Sequence, residues 1–215
     1  MVGIGMLFAA SPNPEARVEE TLVRASVEGM DADDLRVLAV LTSWLGVHHR
    51  YINADRLVRC VSAQSSSRAL AYWAAIARWL SADRRFARLA RLHEGPPLEL
   101  LPVGTALQLA RRGEDARFVG SSLRVPDGVL RDRQADVLTP AQLVAQHRGI
   151  YNRALMGPTW RADVWSALEM QPEMSVAALA RHVGCAFSTA WQVAQDFRLL
   201  HGVVEAPVGA ARCLQ

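Results

Sequence analysis

The sequence predicts a mainly α-helical protein, and three observations carry that expectation. Apolar residues fill 51% of the 215 positions and recur mostly at spacings of three and four. Residues that start and stop helices bracket most of these runs. Stretches suited to strands are short and fall only in 93–138 and at the end of the chain.

The elements follow in order. MVGIGMLFAA is apolar for ten residues but has no basic flank and is shorter than the ~20 residues that cross a bilayer. It is expected to be a docked or frayed terminus, with no membrane partner. Asn13, Pro14 and Glu15 read as an N-cap, a first-turn proline and an acid at the positive helix end, opening a helix that Gly29 stops. Asp31 is placed to cap a second helix through LRVLAVLTSWL, ending at Gly46. Asn53 opens a third across ADRLVRCVSA, Ser66 or Ser67 a fourth across RALAYWAAIARWL, and Ser81 a fifth across ADRRFARLARL.

From His93 to Leu138 the pattern weakens, because EGPP, Gly104, Gly113 and Gly120 interrupt it. TALQLARR is the helix expected there, and VPDG at 125–128 is a turn that could join two short strands. Thr139 caps a single helix PAQLVAQHRGIYNRALM, with Pro140 in its first turn and a stop at Gly157-Pro158. Beyond it are expected a helix from Trp160 to Met170, a short helix after Ser175, a turn at Gly184 and a helix from Ser188 to Leu200. Val203–Glu205 and Ala211–Leu214 flank Pro207-Val208-Gly209 as a small β-hairpin. The organisation read from this is an Arg-rich helical domain at 1–92, an irregular connector or small subdomain at 93–138, and a third domain at 139–215.

All 24 basic residues are Arg, and guanidinium binds phosphate as a fork where ammonium is a point charge. The net charge of +3 hides a segregation: Glu15–Asp34 carries −5 and Arg36–Arg91 carries +8, a local excess that attracts polyanions. Arg84, Arg85, Arg88 and Arg91 are candidate phosphate contacts there, interleaved with aromatic residues. Their competing role is an ordinary solvated face, or pairing with the acidic Glu15–Asp34 segment within one chain or across a dimer. Cys60, Cys185 and Cys213 are odd in number and lack ligand spacing, so neither a disulfide framework nor a zinc site is expected. A reducing, cytoplasmic setting fits.

The stretch RADVWSALEM, VAALARHVG, STAWQVAQDFRLL and VVEAPVGAARCL resembles the winged helix-turn-helix of bacterial transcription regulators, over roughly the last 55 residues. The resemblance implies three helices and a β-hairpin wing, with STAWQVAQDFRLL as the recognition helix. Ala180 is small where two helices approach, and Gly184 can take the positive φ that reverses the chain. Leu179, Val183, Val193 and Phe197 then point into one core. Ser175 and Ser188 are suited to capping. DNA-binding positions would be Ser188, Thr189, Gln192 and Gln195 at base edges, with Arg181 and Arg198 on the backbone. Against this, residues 147–215 carry a net charge of only +1, little for a binder whose affinity comes from neutralised phosphates. Trp191 suits a protein interface as readily as DNA.

Catalytic readings are weaker. FVGSSLRVPDGVLRDRQADVL faintly resembles the Gly-Ser and Asp-x-Asp of nucleotidyltransferases, but Leu138 stands where the second metal-binding carboxylate belongs. His48-His49 and the Asp31, Asp33, Asp34 group lack ligand spacing, and no nucleophile elbow or phosphate loop is present. The expectation is a non-enzymatic transcriptional regulator without cofactor or metal, binding double-stranded DNA, with homodimerisation or a protein partner through the helical half. The alternative is a winged-helix protein-interaction adaptor, or a non-catalytic subunit of a nucleic-acid-processing or defence complex.

Overall fold

The computed structural model describes residues 1–13 and 16–202. The expected hairpin strands at 203–205 and 211–214, and Pro14 and Glu15 of the first expected helix start, lie outside the described residues. The protein is mainly helical, and the chain divides into two compact units, Met1–Ile150 and Tyr151–Gln215.

The first unit is built on four helices: α1 (Val18–Asp31), α2 (Leu35–His48), α3 (Ala54–Ser62) and α4 (Ser67–Trp79). The start signals of α2, α3 and α4 are local, whereas α1 begins behind Arg17 with no side-chain cap, and Asn13 does not cap it. Asn53 accepts from the Arg56 amide at 3.2 Å, and Ser66 from the Ala69 amide at 3.3 Å, as expected. The cap of α2 is Asp34 and not Asp31: one carboxylate oxygen accepts from both Arg36 and Val37 at 3.0 Å. Neither Gly29 nor Gly46 stops its helix. Both lie inside, where a Cβ on Gly29 would stand 2.9 Å from Leu38 Cδ2 and one on Gly46 3.2 Å from the Trp79 ring. These glycines bring helices together.

The expected fifth helix after Ser81 is absent. In its place are two 3-10 turns, Arg84–Phe86 and Leu89–Arg91. Asp83 takes the Arg85 amide at 3.1 Å, a local bond that competes with helix propagation. Phe86 and Leu89, three apart, are the buried residues, a spacing that 3-10 geometry satisfies.

Residues 93–138 are not separated from this core. Leu100, Phe118, Leu123, Val125, Leu130 and Val137 belong to the same buried cluster as Trp44, Tyr72 and Trp73. Ser122 donates to Ala71 O at 2.7 Å and Arg68 to Leu100 O at 2.5 Å, so α4 carries the segment. VPDG is a turn, with Gly128 at φ 71°. The strands are elsewhere than expected: β1 (Leu98–Glu99) pairs with β2 (Leu123–Arg124) in parallel. A parallel pair needs a crossover, and α5 (Thr105–Arg112) lies within it.

The opening residues are docked. Ile4 and Met6 are fully buried, Trp44 donates its indole N–H to Ile4 O at 2.8 Å, and Met6 bridges Val137 in antiparallel fashion. The single helix expected over 140–156 is two, α6 (Pro140–Gln146) and α7 (Arg148–Met156). Thr139 forms a capping box with Gln142 at the start of α6. His147 breaks the run: its Nδ1 accepts from the Ile150 amide at 3.2 Å, capping α7 by a ring nitrogen.

The second unit contains α8 (Trp160–Met170), α9 (Val176–Val183) and α10 (Phe187–Leu200) around a core of their own. Among the described residues, no helix is long and apolar enough to cross a membrane.

Candidate nucleic-acid interface

The candidate surface is presented by α9 and α10. Ser175 accepts from the Ala178 amide at 3.3 Å and starts α9. Gly184 ends it at φ 78°, and the amides of Gly184 and Cys185 both return to Ala180 O, at 2.8 and 3.1 Å. This is a left-handed helix termination, and glycine adopts it without steric penalty. Gly184, Cys185 and Ala186 alone separate the two helices. Ser188 is not the N-cap of α10: the helix begins at Phe187 behind Ala186, with no side-chain cap. Chain reversal at Gly184 brings the turn directly into helix, which advances the start by one residue.

Packing fixes how α10 rolls. Ala190, Val193, Ala194 and Phe197 are buried against Leu179, Ala180 and Val183 of α9 and Val164 and Leu168 of α8. Trp165 meets Phe197 edge-on at 4.9 Å, and the His201 ring stacks on Phe197 at 4.0 Å. With that side committed, Ser188, Gln192 and Gln195 are exposed and Thr189 is half-buried. They occupy the solvent side of one helix over roughly 10 Å of its length. Arg181 is exposed on α9 and Arg198 half-buried on α10.

Two features of this surface went unread in the sequence. The first is the pairing of Asp196, an acid on the candidate helix, with Arg161 of α8 at 2.7 Å; the same carboxylate accepts from Gln192 at 3.4 Å. The arginine lies 35 positions away, beyond any local spacing rule. The second is Phe187, 57% exposed one turn before Trp191 at 48%, the one of the pair that the sequence singles out by itself. An i, i+4 pair of exposed aromatics is visible in the sequence once the helix register is known.

The four candidate phosphate contacts of the first unit are not equivalent. Arg85 is held by Asp83, with contacts of 2.9 and 2.5 Å, and donates to Ile52 O at 3.1 Å. This pairing holds the Asp83 carboxyl below its ordinary range. Arg88 meets Asp55 at 3.2 Å, both side chains being well exposed. The guanidinium groups of Arg84 and Arg91 make no ion pair or hydrogen bond among the described residues. Of the acidic segment, Asp33 pairs with Arg68 at 2.7 Å, while Glu19 is buried and accepts from the Asn53 amide at 2.8 Å.

The weak catalytic signals have structural uses. Ser121 hydrogen-bonds the Leu123 backbone and Ser122 the Ala71 carbonyl. Asp132 accepts from the Gln134 amide at 3.0 Å, and Asp136 faces Arg133 at 3.5 Å. His48 is buried with Nε2 2.9 Å from Leu138 O, and His49 contacts Leu45 O through Nδ1. Among the described residues, no group of His, Cys, Asp or Glu could hold a metal ion. Comparison of the chain with protein families, with curated proteins and with solved structures found no match.

Proposed function

We propose that this chain is a DNA-binding transcriptional regulator of bacterial type, whose residues 160–215 form a winged helix-turn-helix with α10 as the recognition helix. The observation that carries the reading is the joint placement of Ser188, Gln192 and Gln195 on the exposed side of α10, with Thr189 at its margin. Gln presents a donor and an acceptor that match adenine in the major groove, and hydroxyl side chains accept several base edges. The three-residue connection Gly184-Cys185-Ala186 is of the short, glycine-containing kind that such units use. Arg181, exposed on α9, would contact the phosphate backbone together with Arg198. Pairing of Asp196 with Arg161 reduces the repulsion that a bare carboxylate would exert on a phosphate. Arg84, Arg88 and Arg91 are proposed as further phosphate contacts and the first unit as the place of homodimerisation.

Electrophoretic mobility of fragments from the protein's own promoter region tests this. Gln192→Ala is expected to weaken specific binding by about 1–3 kcal/mol, and Arg181→Ala to weaken binding similarly on all sequences. Unchanged shifts in both variants would remove the assignment.

A second reading is favoured by one observation, the exposure of Phe187 and Trp191 on the same helix. Aromatic side chains are enriched at protein interfaces, so α10 would instead dock a protein in an adaptor or a non-catalytic subunit. Under that reading Phe187→Ala with Trp191→Ala abolishes a protein complex, while Gln192→Ala leaves it intact.

A further inference from the structure

The first unit contains a cleft of about 300 Å³ between the first turn of α2, the end of α5 and the segment after the VPDG turn. Four arginines line it, Arg36, Arg112, Arg131 and Arg133, together with Gln108, and among the described residues no carboxylate does. Converging guanidinium groups repel one another unless an anion lies between them.

The nearby acids do not supply that anion. Asp34 spends its carboxylate oxygen on the Arg36 and Val37 amides. Asp132 accepts from the Gln134 amide and, at 3.5 Å, from Ser43. Asp136 reaches Arg133 at 3.5 Å, through Nη1 alone. The Arg133 Nε is buried and has no hydrogen-bond partner among the described residues, so internal contacts leave this guanidinium under-satisfied. The guanidinium groups of Arg112 and Arg131 have no ion pair or hydrogen bond among the described residues, and Arg36 only overlies the Phe8 ring at 5.8 Å.

We infer that this cleft is a binding site for a compact phosphate chain, a di- or triphosphate group, held by the arginine forks of Arg36, Arg112, Arg131 and Arg133. Charge density decides the class. Four cations around a space at the low end of small-ligand sites call for several negative charges in few atoms, and linked phosphoryl groups provide them with acceptors on every side. A duplex backbone fits less well, because it spreads its charges along a line where the cleft is concave. With no carboxylate in its lining, the cleft offers phosphate no anchor for a bridging divalent cation. The Gly-rich loop that commonly cradles phosphates is replaced here by side chains alone.

The test is calorimetric titration of the full chain with inorganic tripolyphosphate. Arg112→Ala with Arg131→Ala is the informative variant, since both side chains are exposed and unpaired among the described residues, and its melting temperature should match that of the wild type. Arg24→Ala with Arg59→Ala removes the same charge from exposed positions elsewhere in the first unit. Wild type and the Arg24/Arg59 variant are expected to bind alike, and the Arg112/Arg131 variant at least about tenfold more weakly, from the removal of two charge-assisted bonds. No binding by the wild type, or equal weakening in both variants, overturns the site. A short random duplex titrated in parallel separates the phosphate sources. If duplex binding falls in the Arg112/Arg131 variant while tripolyphosphate does not bind, the cleft contacts nucleic acid and the small-anion assignment is wrong. Gln192→Ala is expected to leave tripolyphosphate binding unchanged, so this site stands or falls apart from the reading of α10.

Discussion

Arg153 and Asp163 are both buried, and two guanidinium nitrogens of Arg153 reach the same carboxylate oxygen of Asp163 at 2.8 and 2.7 Å. Removing either partner takes this close ion pair away from a charge that stays buried. Arg153→Ala or Asp163→Ala should therefore cost about 3–5 kcal/mol, read as a lowered midpoint in urea unfolding. His48 is the other residue whose environment predicts a measurable effect. Burial pushes its imidazole pKa below the ordinary value, against the opposing hydrogen bond to Leu138 O. The folded state thus binds a proton less readily than the unfolded state. Stability is retained above about pH 6.5, the unfolded value, and declines as pH falls from there toward the folded value. Thermal melts between pH 7.5 and about 5 should show the decline, and His48→Gln should flatten it. Capping residues such as Asn53, Ser66, Thr139 and Ser175 were legible in the sequence, because each bonds an amide three positions on. Arg153–Asp163 was not, since nothing local distinguishes that arginine from its neighbours.

Elements were legible where apolar period and cap agreed. The helix over Trp160–Met170 and that over Thr105–Arg112 have the bounds the sequence suggests. They failed where one side chain redirected the backbone: Asp83 converts a helix to two 3-10 turns, and His147 splits one helix into two. Glycine misled for a different reason. In a sequence it reads as a stop, yet at Gly29 and Gly46 its missing side chain permits close helix packing. Gly29→Ala separates the two roles. A mere stop would tolerate alanine, and helix propensity would favour it by about 1 kcal/mol. With Leu38 Cγ and Cδ2 at 3.1 and 2.9 Å from the new methyl, overpacking should prevail and the variant should be destabilised by about 1–2 kcal/mol, measured by chemical unfolding. A stabilised variant would show that α1 and α2 can shift apart at little cost.

Across the whole molecule, the formal excess of +3 lies entirely in residues 1–150, and 151–215 sum to zero. If duplex DNA is bound, phosphate neutralisation should depend on the first unit. Arg84→Gln, Arg88→Gln and Arg91→Gln together should then reduce the slope of log K against log salt by about 0.9 for each phosphate no longer neutralised. Arg85 is omitted because it supports the backbone at Ile52 and Arg50. An unchanged slope would assign the phosphate contacts elsewhere. The helical class was legible at this scale, since composition and period suffice for it. The inclusion of 93–138 in the first core was not, because its ties are isolated long-range bonds such as Ser122 to Ala71. Leu179, Val183, Val193 and Phe197, which the helix-turn-helix resemblance placed in one core, do share one, whereas the arginine cleft joins positions 36, 112, 131 and 133 that no periodicity relates.

The docking of residues 4–7 has a bearing on how the chain matures. Leu7 donates to Asp136 O and Leu138 to Gly5 O, both at 2.8 Å. On a ribosome, this apolar stretch emerges shortly before its early partner Trp44 but long before the residues that pin its backbone. Until those arrive its edge stays unpaired, an interval in which a chaperone could grip it and premature self-association could compete with folding.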